Sequence, residues 1–154
     1  MKNKKLLLKC VLTPLVSGMV IGWLSSSSGA YNEVKKPPLS PPASLFPFVW
    51  TILYILMGIA LYLVLSSEAE PSEKSKAKTV FASQLVLNLL WPIIFFTFRT
   101  YYAAALCLVF LIGFIVKTYL EFKKIDTRGA KLLIPYIIWC VFALYLNIGV
   151  AVLN

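Results

Sequence analysis

The sequence contains no histidine, and that absence removes a large part of enzymology. Ser-His-Asp and Cys-His triads, HExxH zinc sites and proximal-His haem ligation all need imidazole. Charge is scarce as well: 14% of residues are charged, against roughly 25% in a soluble domain. The six acidic residues, Glu33, Glu68, Glu70, Glu73, Glu121 and Asp126, fall in polar joints or at the ends of apolar runs. Lys117 is the most deeply placed charge, within snorkelling reach of a helix end. A proton-coupled antiporter or pump needs an intramembrane carboxylate, and conventional acid–base catalysis needs a buried acid or base. Neither is expected. The three cysteines, Cys10, Cys107 and Cys140, have no CxxC spacing and lie in or beside apolar runs. They read as small buried hydrophobes, with no disulfide framework and no metal site.

What is abundant is apolar length. Of 154 residues, 60% are hydrophobic, and mean hydropathy is +0.83. A bilayer core takes about 20 mostly apolar residues per helix. Five runs meet that length, at about 6–26, 45–66, 79–98, 101–122 and 130–153. Lipid leaves backbone groups no water to bond, so the expectation is an all-α integral membrane protein, one five-helix bundle over residues 1–154. The first run has a rival reading. Lys2, Lys4, Lys5 and Lys9 precede it, and Ser28-Gly29-Ala30 resembles a signal-peptidase site. Its length, and the GxxxG spacing of Gly18 and Gly22, favour a retained helix.

The net charge of +9 is confined to short clusters at the ends of these runs, which points to headgroups and not to nucleic acid. The N-terminal lysines, Lys74, Lys76 and Lys78, and Lys117, Lys123, Lys124, Arg128 and Lys131 share one side of a five-helix topology. Only Lys35, Lys36 and Arg99 fall on the other. In a bacterial plasma membrane this places the N-terminus in the cytoplasm.

Polar and aromatic residues recur at helical steps inside the runs. Gln84, Asn88, Trp91 and Phe95 share a face of the third, Trp139, Ala143 and Asn147 of the last, and Trp50 and Tyr54 of the second. Two readings stand. The amides bond neighbouring helices and the aromatics pack, or together they wall a cavity for a large, flat, mostly apolar ligand. Trp50 and Trp91 also suit an interfacial belt. The first loop, 27–44, carries Pro37, Pro38, Pro41 and Pro42 and is therefore stiff. It is either a rigid connector or a lid over the outer end of the cavity. Pro14, Pro92 and Pro135 sit near the start or middle of helices and are candidate kinks.

These residues resemble a known family. Tyr31-Asn-Glu-Val-Lys-Lys36-Pro37-Pro-Leu-Ser-Pro41-Pro42, followed by Phe48-Val-Trp50-Thr-Ile-Leu53-Tyr54 and Met57-Gly58, resembles the first-loop signature of the translocator proteins. These are also called tryptophan-rich sensory proteins or peripheral-type benzodiazepine receptors. Gln84-Leu-Val-Leu-Asn88-Leu-Leu-Trp91-Pro92 with Phe95-Phe96 extends the resemblance. Leu133-Ile-Pro135-Tyr136-Ile-Ile-Trp139 with Phe142-Ala143 and Leu146-Asn147 completes it across essentially the whole chain.

The resemblance implies five membrane helices, a homodimer, and a receptor for porphyrins such as protoporphyrin IX and for benzodiazepine- and isoquinoline-type drugs. It implies no required cofactor, the porphyrin being ligand or substrate, and for bacterial members a light-dependent porphyrin breakdown. Its ligand residues map to Tyr31, Trp50, Asn88, Trp91, Trp139 and Ala143. Trp50 and Trp139 match the tryptophans tied to porphyrin chemistry, where an electron-rich indole would donate to the photoexcited pigment. Transport of tetrapyrroles and a ligand-dependent regulatory scaffold are the alternatives. Where many relatives carry Trp in the loop, this chain has Leu39 and Ser44. The C-terminal cholesterol motif fails because nothing basic follows Tyr145, so sterol import is not expected. Lys35, Lys36 and Arg99, on the lid side, are candidates to pair with porphyrin propionates, or are plain surface charge.

Overall fold

In a computed structural model, residues 3–27 and 29–154 are described. Lys2, counted with the basic N-terminus, and Ser28, in the cleavage-like tripeptide, lie outside them. The described residues form helices and no strand. Five segments are long and apolar enough to cross a membrane, so this is an integral, multi-pass protein. They are α1 (Lys4–Ser26), α3 (Leu45–Leu65), α4 (Pro71–Pro92) with a π-helical turn (Ile93–Thr97), α5 (Tyr101–Ile125) and α7 (Ile134–Leu153). Two short helices, α2 (Ala30–Glu33) and α6 (Thr127–Lys131), lie in connections.

The termini follow local chemistry. Asn3 caps α1 by accepting from the Leu6 N–H at 3.1 Å. The third span starts at Pro71, not near 79. Pro71 occupies a first-turn position where no N–H is needed, and Glu73 lies in the first turn. Apolarity alone finds the part of a helix inside lipid, and the lysine-bearing turns of α4 lie outside that reach. The fifth segment is likewise two helices. Asp126 caps α6 by accepting from the N–H groups of Arg128 and Gly129, and Pro135 opens α7 in its first turn. Pro135 therefore kinks nothing. Pro92, at the end of α4, has no N–H to return to the preceding turn, and the chain widens there into the π-helical turn.

Without a hydrophobic force between helices in lipid, close packing has to hold the bundle. Glycines give α1 and α3 that closeness. A Cβ on Gly58 would lie 2.4 Å from the Val11 backbone, and one on Gly18 would lie 2.2 Å from the Tyr54 ring. Gly18, half of the GxxxG spacing, thus serves packing within this chain. Its partner Gly22 has nothing within 4 Å of the place a Cβ would take. On the other side of the bundle α5 packs between α4 and α7, burying Leu108, Leu111, Ile115 and Phe122. Phe81 and Phe122 stack there with centroids 6.1 Å apart.

The first loop lies across one end of the bundle. Asn154, capping the end of α7, accepts from the Lys35 N–H at 3.1 Å and donates to the Lys35 carbonyl at 2.8 Å. The Tyr145 hydroxyl donates to the Pro38 carbonyl at 2.6 Å, and the Pro37 ring rests on Gly149, where a Cβ would come within 2.4 Å. Leu39 sits at the turn with φ of 70° and is 84% exposed.

Candidate functional site

Above the Gly18–Tyr54 contact, α1 and α3 leave space between them and α4. The resulting cavity has a volume of about 530 Å³, inside the range of small-molecule sites. Gly22 lines it from α1, Trp50 and Tyr54 from α3, Asn88, Trp91 and Phe96 from α4 and its π-helical turn, and Tyr31 and Phe46 at the loop end. Seven aromatic side chains, those above and Trp23, contribute to its wall. Met19 and Trp23 also line it, yet are 57% and 72% exposed, so its α1 flank is open on a lipid-facing surface.

Behind this wall runs a buried polar chain that explains the amides. The Tyr54 hydroxyl donates to Asn88 Oδ1 at 2.6 Å, and Asn88 Nδ2 donates to the Tyr136 hydroxyl at 2.6 Å. Tyr136 donates in turn to Gln84 Oε1 at 2.7 Å, and Gln84 Nε2 reaches Met57 Sδ at 3.6 Å. A second link joins Trp91 Nε1 to Asn147 Oδ1 at 2.9 Å, while Asn147 Nδ2 donates to the Tyr101 carbonyl at 2.8 Å. The two readings of these residues merge: Asn88 and Trp91 tie helices together and line the cavity as well. An amide in hydrocarbon is costly without partners, and each of these has them.

Tyr31, Trp50, Asn88 and Trp91 meet at the cavity. Trp139 and Ala143 do not line it. Ala143 borders a separate void of about 20 Å³ with Tyr31, Phe46, Trp91 and Asn147. The Trp139 indole packs edge-on against Phe46, with centroids 6.0 Å apart. The step of four that grouped Trp139, Ala143 and Asn147 drifts on a 3.6-residue helix. The buried face of α7 runs instead through Tyr136, Cys140, Ala143 and Asn147, leaving Trp139 half-buried at its edge. Its Nε1 is nonetheless inaccessible and has no hydrogen-bond partner, the only such side-chain atom among the described residues.

Two of the three lid-side cations, Arg99 and Lys36, have side-chain partners within the protein. Arg99 pairs with Glu33 of α2 at 2.7 Å. Lys36 Nζ donates to the Tyr31 carbonyl at 2.9 Å and stands 4.6 Å from the Tyr31 ring centroid. Lys35 is held through its backbone by Asn154. Tyr31 is further restrained by its hydroxyl, which donates to the Pro41 carbonyl at 2.5 Å, and by the Phe46 ring edge at 4.9 Å. Burial pushes the Tyr31 phenol above its ordinary value, against a smaller opposing effect of Ser40, so it stays neutral.

Sequence reasoning missed Phe46, Phe96 and the α1 contribution. Phe46 was findable, since it lies one helical turn ahead of Trp50. Gly22 carries no side chain to signal a wall.

The TspO/MBR family model matches residues 10–153. The chain belongs to that family. Within it, the chain is 41% identical to the tryptophan-rich protein TspO of Chlorobaculum tepidum over 128 residues, 83% of this chain and 81% of the relative. It is 33% identical to the tryptophan-rich sensory protein of Cereibacter sphaeroides, covering 80% of this chain and 76% of that one. The human translocator protein is 33% identical over 118 residues, 76% of this chain and 70% of its own length. Membership in TspO/MBR supports a membrane sensory or translocator role.

Proposed function

We propose that this TspO/MBR protein is a membrane receptor for flat, mostly apolar ligands. Tetrapyrroles such as protoporphyrin IX and benzodiazepine- or isoquinoline-type drugs are the classes named by the family resemblance. The observation that carries the reading is the cavity of about 530 Å³ walled by Tyr31, Trp50, Trp91 and Phe96. Aromatic walls stack on such a ligand, and a few polar groups orient it. Trp139 offers one: its unpartnered N–H is a donor ready for a ligand acceptor once the Phe46 ring gives way. In this reading Trp50 lines the ligand site directly, Ala143 borders its second compartment with Trp139 behind Phe46, and the basic end of the bundle lies in the cytoplasm.

The test is a protoporphyrin IX titration of the purified protein, followed by tryptophan fluorescence and the porphyrin absorption band, in the dark and under illumination. Saturable binding that weakens in Trp50→Phe is expected. A light-dependent new absorber that disappears in Trp139→Phe would add a photochemical activity. Titrations without saturation would remove the tetrapyrrole from the reading.

A second reading, a carrier, is favoured by one observation: exposed Met19 and Trp23 line the cavity, which opens it toward lipid. Ligand flux into sealed vesicles beyond stoichiometric binding would support it.

A further inference from the structure

Among the described residues, no charged side chain lines the cavity of about 530 Å³. Of the three cations at its lid end, Lys36 is engaged by the carbonyl and ring of Tyr31 and Arg99 by Glu33, and Lys35 does not line the cavity. Its polar groups are largely satisfied within the protein too. The Tyr31 hydroxyl donates to Pro41, the Tyr54 hydroxyl to Asn88, and the Trp91 N–H to Asn147. An ionised carboxylate brought into such a space loses its hydration and meets no counter-charge in exchange. The same group as an ester carries no such penalty.

We propose that the cavity selects uncharged, flat aromatic ligands over their carboxylate forms, and that Lys36 positions Tyr31 as its wall instead of pairing with a ligand carboxylate. This rests on the receptor reading above and narrows its ligand class. Three residues converge on Tyr31: Lys36 at its carbonyl and over its ring, Phe46 at its ring edge, and Pro41 at its hydroxyl. Removing the ammonium frees one of the few side chains that border both the large cavity and the 20 Å³ void. The loss is then felt by every ligand, whatever its charge. A diacid tetrapyrrole binds only with its propionates left in water beyond the lid.

The experiment uses the full chain in nanodiscs and two ligand pairs, protoporphyrin IX with its dimethyl ester and pyrenebutyric acid with its methyl ester. Each affinity is corrected for partition into protein-free nanodiscs. Within each pair that binds, the ester is expected to bind about tenfold more tightly than the acid, with little dependence on salt. Lys36→Ala is expected to weaken acid and ester by one common factor, and to speed amide hydrogen exchange in residues 29–44 of the ligand-free protein. Lys36→Arg, which keeps a donor and a cation able to stack on the ring, is expected to restore both. Tighter binding of the acids, with the Lys36→Ala loss confined to them, would overturn the proposal, as would unchanged lid exchange. Saturable binding of the pyrene ester without either tetrapyrrole would uphold neutral selection and remove the tetrapyrrole assignment. Saturable binding by none of the four would overturn both.

Discussion

The two flanks of the bundle solve the same packing problem differently. On the α4–α5–α7 flank, side chains fill the space, and the amides of Gln84, Asn88 and Asn147 are bonded across helices. On the α1–α3 flank, contact is made by backbone at Gly58 and Gly18, and beyond it the helices part around a cavity. A bundle in lipid gains little from burying apolar surface, so each flank depends on a different resource: hydrogen bonds and side-chain fit on one, the absence of side chains on the other. Space for a ligand arises where the second device stops.

The comparison is most sharply broken at Gly58. Gly58→Leu places a side chain where even a Cβ would sit 2.4 Å from backbone, and a loss of about 3 kcal/mol is expected from overpacking. Thermal unfolding in detergent would show it, whereas Gly22→Ala, with nothing within 4 Å, should leave the midpoint unchanged.

Next in size is Tyr136→Phe. It removes the donor to Gln84 and the acceptor for Asn88 while keeping the ring, and a cost of about 1–2 kcal/mol is expected. An equal loss from Tyr145→Phe, whose hydroxyl bonds only the exposed loop at Pro38, would deny the buried chain its special weight.

Gly22→Phe sharpens the contrast from the ligand side. It fills open space lining the cavity, so binding of a neutral aromatic probe should fall at least about tenfold with stability retained. Undiminished binding would place the ligand elsewhere.

The smallest effect belongs to the basic end. Hydrogen bonds from the Arg128 side chain, and then from the Gly129 and Arg128 backbone, hold the Asp126 carboxyl below its ordinary range, against a partial opposing effect of burial. Its folded value being depressed, the stability it lends is complete above the ordinary carboxylate value of about 3.9 and is lost as pH falls through the lowered folded value. Asp126→Asn keeps an acceptor for the α6 cap, so a change within about 1 kcal/mol is expected. Acid titration of unfolding should then lose that dependence between the two values.

Much of this was readable in advance. Apolar length gave five spans, because lipid accepts no other use of such runs. It did not give the start of α4, since turns outside the bilayer obey capping chemistry and not hydropathy. The face Gln84, Asn88, Trp91 and Phe95 was legible because its steps average the helical period and all four residues are buried. Trp139 stands at the edge of the buried face of α7, outside the lining of the large cavity, because steps of four drift around a helix. Lys36 and Arg99 looked available as ligand cations because their partners, Tyr31 and Glu33, are chosen by how the loop folds back.

The sequence by itself therefore determined the solvent, the number of spans, the family and the interior character of the amides. All of these follow from composition, periodicity and motif order along one chain. Only the tertiary structure decided that the cavity lies toward α1, that Trp139 stands behind Phe46, and that Lys36 and Arg99 are already engaged. These depend on which helices approach closely and which are held apart, and that is set by pairs such as Gly58 with Val11, residues distant in the chain whose fit no local pattern records.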